Sequence, residues 1–158
     1  MLTVDTHALE GYQCRLCKDE NSSVYMNSYS CSSRQVYEFV EWLKGQEFYE
    51  NTTIVLCGDH YTMNSKFIEG DKENRRVYNT YMNALVEPVQ SKNRECSALD
   101  MFPTTLAALG VTIPGERLGL GTNLFSEKQT IIEEMGWEAF ETEIQKNSVF
   151  YNMTFLKE

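Results

Sequence analysis

Apolar and polar positions follow two different rhythms along the chain, and the changes between them mark its elements. The opening "MLTVDT" alternates with period two and predicts a strand over residues 1–6. A polar, cysteine-bearing segment from about His7 to Ser30 predicts a loop. In "SSRQVYEFVEWLKGQ" the residues Val36, Phe39, Val40 and Leu43 recur at i, i+3, i+4 and i+7. That spacing predicts an amphipathic helix with Ser32 or Ser33 as N-cap. "TTIVLC" is a short continuous run rich in β-branched residues. It is expected to form a central strand covered on both faces, with Cys57 a buried core thiol.

The second half repeats the alternation. "VYNTYMNALV" predicts another strand leading to Pro88, and the polar "QSKNREC" follows. "LDMFPTTLAALG" predicts a helix in which Pro103 is tolerable only in the first turn and Gly110 takes the left-handed position after the last turn. "GERLGLGTNLF" reads as a glycine-punctuated loop. "IIEEMGWEAFETEIQ" reads as a last helix whose acid face is expected to be solvated. Strand and helix signals that alternate without a repeat predict an α/β fold built on a sheet.

Bulk properties narrow the function classes. A chain of 158 residues, 42% of them apolar, is large enough to bury a single core. Its net charge of -9 argues against a nucleic-acid partner or an anionic membrane surface. The compact basic cluster Lys72, Arg75 and Arg76 is flanked by acids. No run of 18 apolar residues spans a bilayer, and Met1 to Glu10 does not read as a secretion signal, so the chain as given is expected to be soluble. Its strand-like opening, with no polar lead-in, is expected of a fragment of something longer. Five cysteines leave at least one thiol unpaired within the chain. Cys14 and Cys17 form a lone CxxC without the second pair a zinc knuckle needs, so a disulfide joining one of them to Cys31 in an oxidising compartment is the preferred reading.

Chemistry concentrates at two strand ends. Gly58, Asp59 and His60 follow "TTIVLC", where open α/β sheets place their functional groups. A carboxylate oxygen beside an imidazole nitrogen suits Zn²⁺ or Mn²⁺, and the glycine is expected to bend the backbone so that both aim inward. Taken alone, a turn aspartate beside an incidental histidine explains the same tripeptide. His7, the other of the chain's two histidines, follows "LTVDT". If both strands lie parallel in one sheet, the imidazoles share an edge. A metal hydrolase needs more ligands than this, and no GxSxG or Walker-type glycine loop marks a nucleophile, so the groups amount to half a site.

"LTVDTHALEGYQC", "NTTIVLCGDHYTM" and "LDMFPTTLAALGVTIPGERLGLGTNLFS" together resemble the C-terminal half of the sulfatase-like domain of bacterial phosphoglycerol transferases and lipoteichoic acid synthases, in the alkaline phosphatase superfamily. The resemblance implies an alkaline-phosphatase-like α/β sandwich, a mixed sheet flanked by helices. Residues 1–126 would be the C-terminal portion of the catalytic domain, and 127–158 a helical extension packed on it. It also implies that Asp59 and His60 are metal ligands for Mn²⁺ or Zn²⁺ and that His7 binds the phosphoglycerol head group. A glutamate ligand and a threonine nucleophile would lie upstream, in a missing N-terminal half. The implied reaction moves a phosphoglyceryl group from a lipid or glycan donor, and the chain alone is expected to be inactive. The implied location of the full-length protein is the bacterial cell membrane, its catalytic domain extracytoplasmic. A homodimer through an exposed sheet edge is a further expectation. The alternatives are a sulfuric-ester or phosphodiester hydrolase, or a non-catalytic glycan- or phosphate-binding domain on the same fold.

Overall fold

A computed structural model describes residues 5–7, 11–64 and 75–156. The chain divides into two compact units, residues 1–83 and 84–158, each with helices and a small antiparallel sheet. Of the predicted first strand, residues 1–4 lie outside the described residues, and Asp5 and Thr6 form a turn.

The first unit is organised by a long helix, α1, Val24–Lys44. It starts well before the predicted N-cap at Ser32 or Ser33: Ser23 is the cap, its Oγ accepting the Met26 N–H at 3.4 Å. The inner face of the early turns is polar and small, which hides it from a search for apolar periodicity. Asn27, Ser28 and Cys31 are all buried there. Asn27 Oδ1 accepts the Asn21 N–H at 2.8 Å, and its Nδ2 donates to Asp19 Oδ1 at 3.0 Å, folding the preceding loop back onto the helix. Burying an amide in this way costs little because its donor and acceptor groups are matched.

After α1 the chain enters β1, Ile54–Cys57, which pairs antiparallel with β2, Asn79–Met82, in the register Ile54 to Met82 and Cys57 to Asn79. The expectation of a central strand covered on both faces is therefore corrected. Ile54 is buried, burial falls along the strand, and Cys57 is exposed rather than a core thiol. Among the described residues β1 has one neighbouring strand, β2. Asn83 ends β2 with a left-handed backbone (φ 55°), its Nδ2 donating to the carbonyls of Tyr49 at 2.7 Å and Thr52 at 2.9 Å.

The second unit is built around α2, Met101–Ala108, entered through a 3₁₀ turn at Ala98–Asp100. Pro103 falls in the first turn, where its missing N–H has no helical partner to lose. Gly110 takes φ 81°, its N–H reaching the Ala107 carbonyl at 2.8 Å while the Val111 N–H reaches Leu106 at 3.0 Å. This pair of bonds is the Schellman closure of a helix. The predicted glycine loop contains a two-residue hairpin, β3 Arg117–Leu118 and β4 Gly121–Thr122, turned by Gly119 at φ 61°. Gly121 admits no side chain, since a Cβ there would stand 2.0 Å from the Leu99 carbonyl oxygen.

The predicted single helix over residues 131–145 is two, and a further helix lies beyond it. Gly136, at φ 81°, separates α3 Ile131–Met135 from α4 Trp137–Ile144, and α5 Val149–Phe155 follows. Its acid face is only partly solvated: Glu133 receives both Nε and Nη2 of Arg94 at 2.8 Å. Among the described residues no helix is long and apolar enough to cross a membrane.

Candidate functional site

The end of β1 carries Gly58, Asp59 and His60. Gly58 does not use the left-handed conformation open to glycine, and the chain bends directly after it, at Asp59 and His60. Its small size serves close approach: the Gly58 N–H donates to the Tyr78 carbonyl at 2.8 Å, and a Cβ would stand 2.8 Å from Val77 Cγ1. Glycine thus continues the pairing of the two strands one residue past the end of β1.

Asp59 and His60 project from the loop that follows, both exposed. Asp59 Oδ1 accepts the His60 N–H at 2.9 Å, which fixes the carboxylate by its own turn. His60 Nδ1 meets the Tyr61 carbonyl at 2.6 Å. A carbonyl only accepts, so this contact assigns the proton to Nδ1 and leaves the lone pair of the neutral ring on Nε2. That Nε2 lies 3.5 Å from Asp59 Oδ2. Two donors bound at about 2.1 Å to one tetrahedral ion are about 3.4 Å apart, so the pair has the bite of two ligands to one cation.

Residues not singled out from the sequence hold this loop. Thr62 Oγ1 is hydrogen-bonded to the hydroxyl of Tyr25, a buried residue in the first turn of α1. The Tyr25 hydroxyl donates in turn to that of Tyr29 at 3.2 Å. Burial, with the Tyr25 hydrogen bond second, pushes the Tyr29 hydroxyl up to about 12, so Tyr29 stays neutral at physiological pH. The guanidinium of Arg75 lies 4.9 Å from the centre of the Tyr61 ring, a cation–π contact that brings positive charge to the loop. The spacing of Tyr25 and Tyr29, one helical turn apart, could have pointed to a shared role had the helix start been recognised.

His7 lies at the end of the Asp5–His7 turn, its side chain exposed. Among the described residues no hydrogen bond or ion pair joins it to Asp59 or His60. The Asp5 carbonyl accepts the Tyr12 N–H at 2.7 Å, tying that turn to the segment that runs on to α1. The parallel arrangement that would put both imidazoles on one sheet edge involves residues 1–4 and so lies outside the described residues.

The motifs of the second unit are architectural. Asp100 and Thr104 of "LDMFPT" are buried, and the Thr104 hydroxyl donates to the Asp100 carbonyl at 2.6 Å while accepting the Leu124 N–H at 3.0 Å.

Comparison with known proteins now adds to this geometry. A stretch of the chain is 34% identical over 70 residues to a phosphoglycerol transferase I of Citrobacter koseri. It is 33% identical over 70 residues to enzymes of the same name from Salmonella paratyphi B and Escherichia fergusonii. Each match covers 40% of this chain and 9% of the relative's length. No protein-family profile and no solved structure matches the chain. On these relatives, the chain contains a phosphoglycerol transferase-like region.

Proposed function

We propose that the chain is part of a metal-dependent phosphoglycerol transferase, and that Asp59 and His60 supply two of its metal ligands. The observation carrying this reading is the 3.5 Å approach of His60 Nε2 to Asp59 Oδ2, with Nδ1 already engaged by the Tyr61 carbonyl. A carboxylate and an imidazole suit Mn²⁺ or Zn²⁺. When bound, such an ion would stabilise negative charge on phosphoryl oxygens and lower the pKa of a coordinated hydroxyl.

The chain's own groups have separable tasks. The Tyr61 carbonyl fixes the ring orientation of His60, and the Asp59 carboxylate is fixed by the His60 N–H. Tyr25 and Thr62 hold the loop against α1. Arg75 offers a guanidinium beside Tyr61 to an anionic phosphodiester, and His7 offers an imidazole to the glycerol phosphate head group. The phosphoglyceryl group of a lipid or glycan donor would pass to a threonine hydroxyl supplied from outside this chain, the donor P–O bond breaking as its alcohol leaves with the threonine's proton. It would then pass to an acceptor hydroxyl, whose proton returns to the freed threonine. The complete domain is an alkaline-phosphatase-like sandwich, with its catalytic face outside the cell membrane.

Bis-nitrophenyl phosphate with Mn²⁺ tests the division of the site. This chain alone is expected to show no turnover. Metal-dependent turnover that disappears when a threonine within the chain is replaced would overturn the reading.

A further inference from the structure

The CxxC that lacked a second pair in the sequence finds its third partner in space. Cys14 Sγ lies 3.7 Å from Cys17 Sγ and 3.9 Å from Cys31 Sγ, and all three sulfur atoms fall within 4.8 Å of one another. They are free thiols, so the disulfide expected between this pair and Cys31 is not formed. Sulfurs bound to one tetrahedral zinc at about 2.3 Å stand about 3.8 Å apart, and a disulfide would draw two of them to about 2.05 Å. The two spacings from Cys14 are those of a coordination polyhedron's edge.

Hydrogen-bond donors face two of the three sulfurs. Cys14 and Cys17 are joined in a tight turn, the Cys17 N–H donating to the Cys14 carbonyl at 3.0 Å and the Leu16 N–H pointing at Cys14 Sγ at 3.4 Å. Cys31, fully buried on α1, receives Gln35 Nε2 at 3.4 Å and Arg34 Nη2 at 3.5 Å. Arg34 also donates to the Leu16 carbonyl at 2.5 Å, so one guanidinium links the turn to the helix. Three thiolates around a divalent ion carry one net negative charge, and the Arg34 guanidinium, which also lies 3.9 Å from the Glu38 carboxylate, stands beside them. Among the described residues no further cysteine, histidine or carboxylate joins the group.

We propose that Cys14, Cys17 and Cys31 bind one soft divalent cation of the zinc class, with a fourth position open to water or an exogenous donor. The ion would clip the segment before α1 to the buried face of that helix, and each thiol would release its proton to solvent on binding. Thiolate ligation selects zinc-like ions over Mn²⁺ or Mg²⁺, so this site differs in chemistry from Asp59 and His60. The proposal does not rest on the phosphoglycerol reading.

Co²⁺, which shares zinc's tetrahedral preference and reports thiolate ligation by its absorption, tests it on the full 158-residue chain, reduced and freed of metal. The expected result is sulfur-to-cobalt charge-transfer absorption saturating at one equivalent and bleached by Zn²⁺. Cys14→Ser, Cys17→Ser and Cys31→Ser should each weaken Zn²⁺ binding at least about a hundredfold, since even outer-shell losses cost 10–100-fold. Cys57→Ser and the double variant Asp59→Ala, His60→Ala should retain the absorption. The wild-type titration decides the matter even where a serine variant fails to fold. Absence of thiolate absorption in the reduced wild-type chain overturns the proposal, as does its survival in all three folded serine variants.

Discussion

The Asp100 carboxylate accepts the backbone N–H of Thr122 at 2.7 Å, joining the start of α2 to strand β4 across 21 intervening residues. Its other oxygen accepts the Ser97 N–H at 2.8 Å, so one buried side chain both caps the entry to α2 and holds the hairpin. Asp100→Ala leaves those two N–H groups without their acceptor. The expected loss is about 3 kcal/mol, at 1–3 kcal/mol for each buried group left unpaired. A shift of the urea midpoint checks it. Asp100→Asn, which keeps one acceptor oxygen, should lose less.

Two glycines of the same hairpin should respond differently to alanine. Gly121→Ala drives a Cβ to 2.0 Å from the Leu99 carbonyl oxygen, and the backbone must part from α2's entry turn. A cost of about 3 kcal/mol or more is expected, beyond the usual range for overpacking. Gly119 has open space around it and only its φ of 61° to defend, so Gly119→Ala should cost about 1 kcal/mol. Paired thermal melts would expose the difference.

Acid should act through Glu133. The two-point hydrogen bond from Arg94 holds its carboxyl below the ordinary glutamate range, against the opposing effect of partial burial. A carboxyl whose folded-state pKa is lowered stabilises the fold fully above its unfolded-state value, about 4.3. That stability is lost as pH falls through the lowered folded-state value. Urea midpoints followed from neutral into acid should therefore fall in the wild type. In Glu133→Gln they should begin lower at neutral pH and fall less steeply.

The sequence was most readable where packing follows simple periodicity. β1, the helix around Pro103 and the closure at Gly110 all lie where apolar spacing and turn chemistry point to them. The early turns of α1 escaped because Asn27, Ser28 and Cys31 fill its buried face, and a polar inner face has no apolar signature. Gly136 escaped because an isolated glycine inside a helical pattern is often tolerated, and here it breaks the helix. At the candidate site the adjacent Asp59 and His60 were visible as letters. Their support by Tyr25 and Thr62 was not, since 36 residues separate that pair and only the fold joins them.

That support predicts an effect at a distance. Tyr25→Phe removes the hydroxyl bonded to Thr62 and should cost about 1 kcal/mol of stability. It should also weaken Mn²⁺ binding, because the loop carrying Asp59 and His60 loses its anchor. Isothermal calorimetry on the folded variant checks both the affinity and the unchanged stoichiometry.

Mn²⁺ binding to the whole chain, followed by loss of the free-ion electron paramagnetic resonance signal, bears most directly on the metal pair. Mn²⁺ favours carboxylate ligands and not thiolates, which separates Asp59 and His60 from the cysteine cluster. One weak, saturable site is expected, reduced at least about tenfold by Asp59→Ala and by His60→Ala and unchanged by Cys14→Ser. Equal binding by the wild type and by both alanine variants would contradict the assignment of Asp59 and His60 as metal ligands.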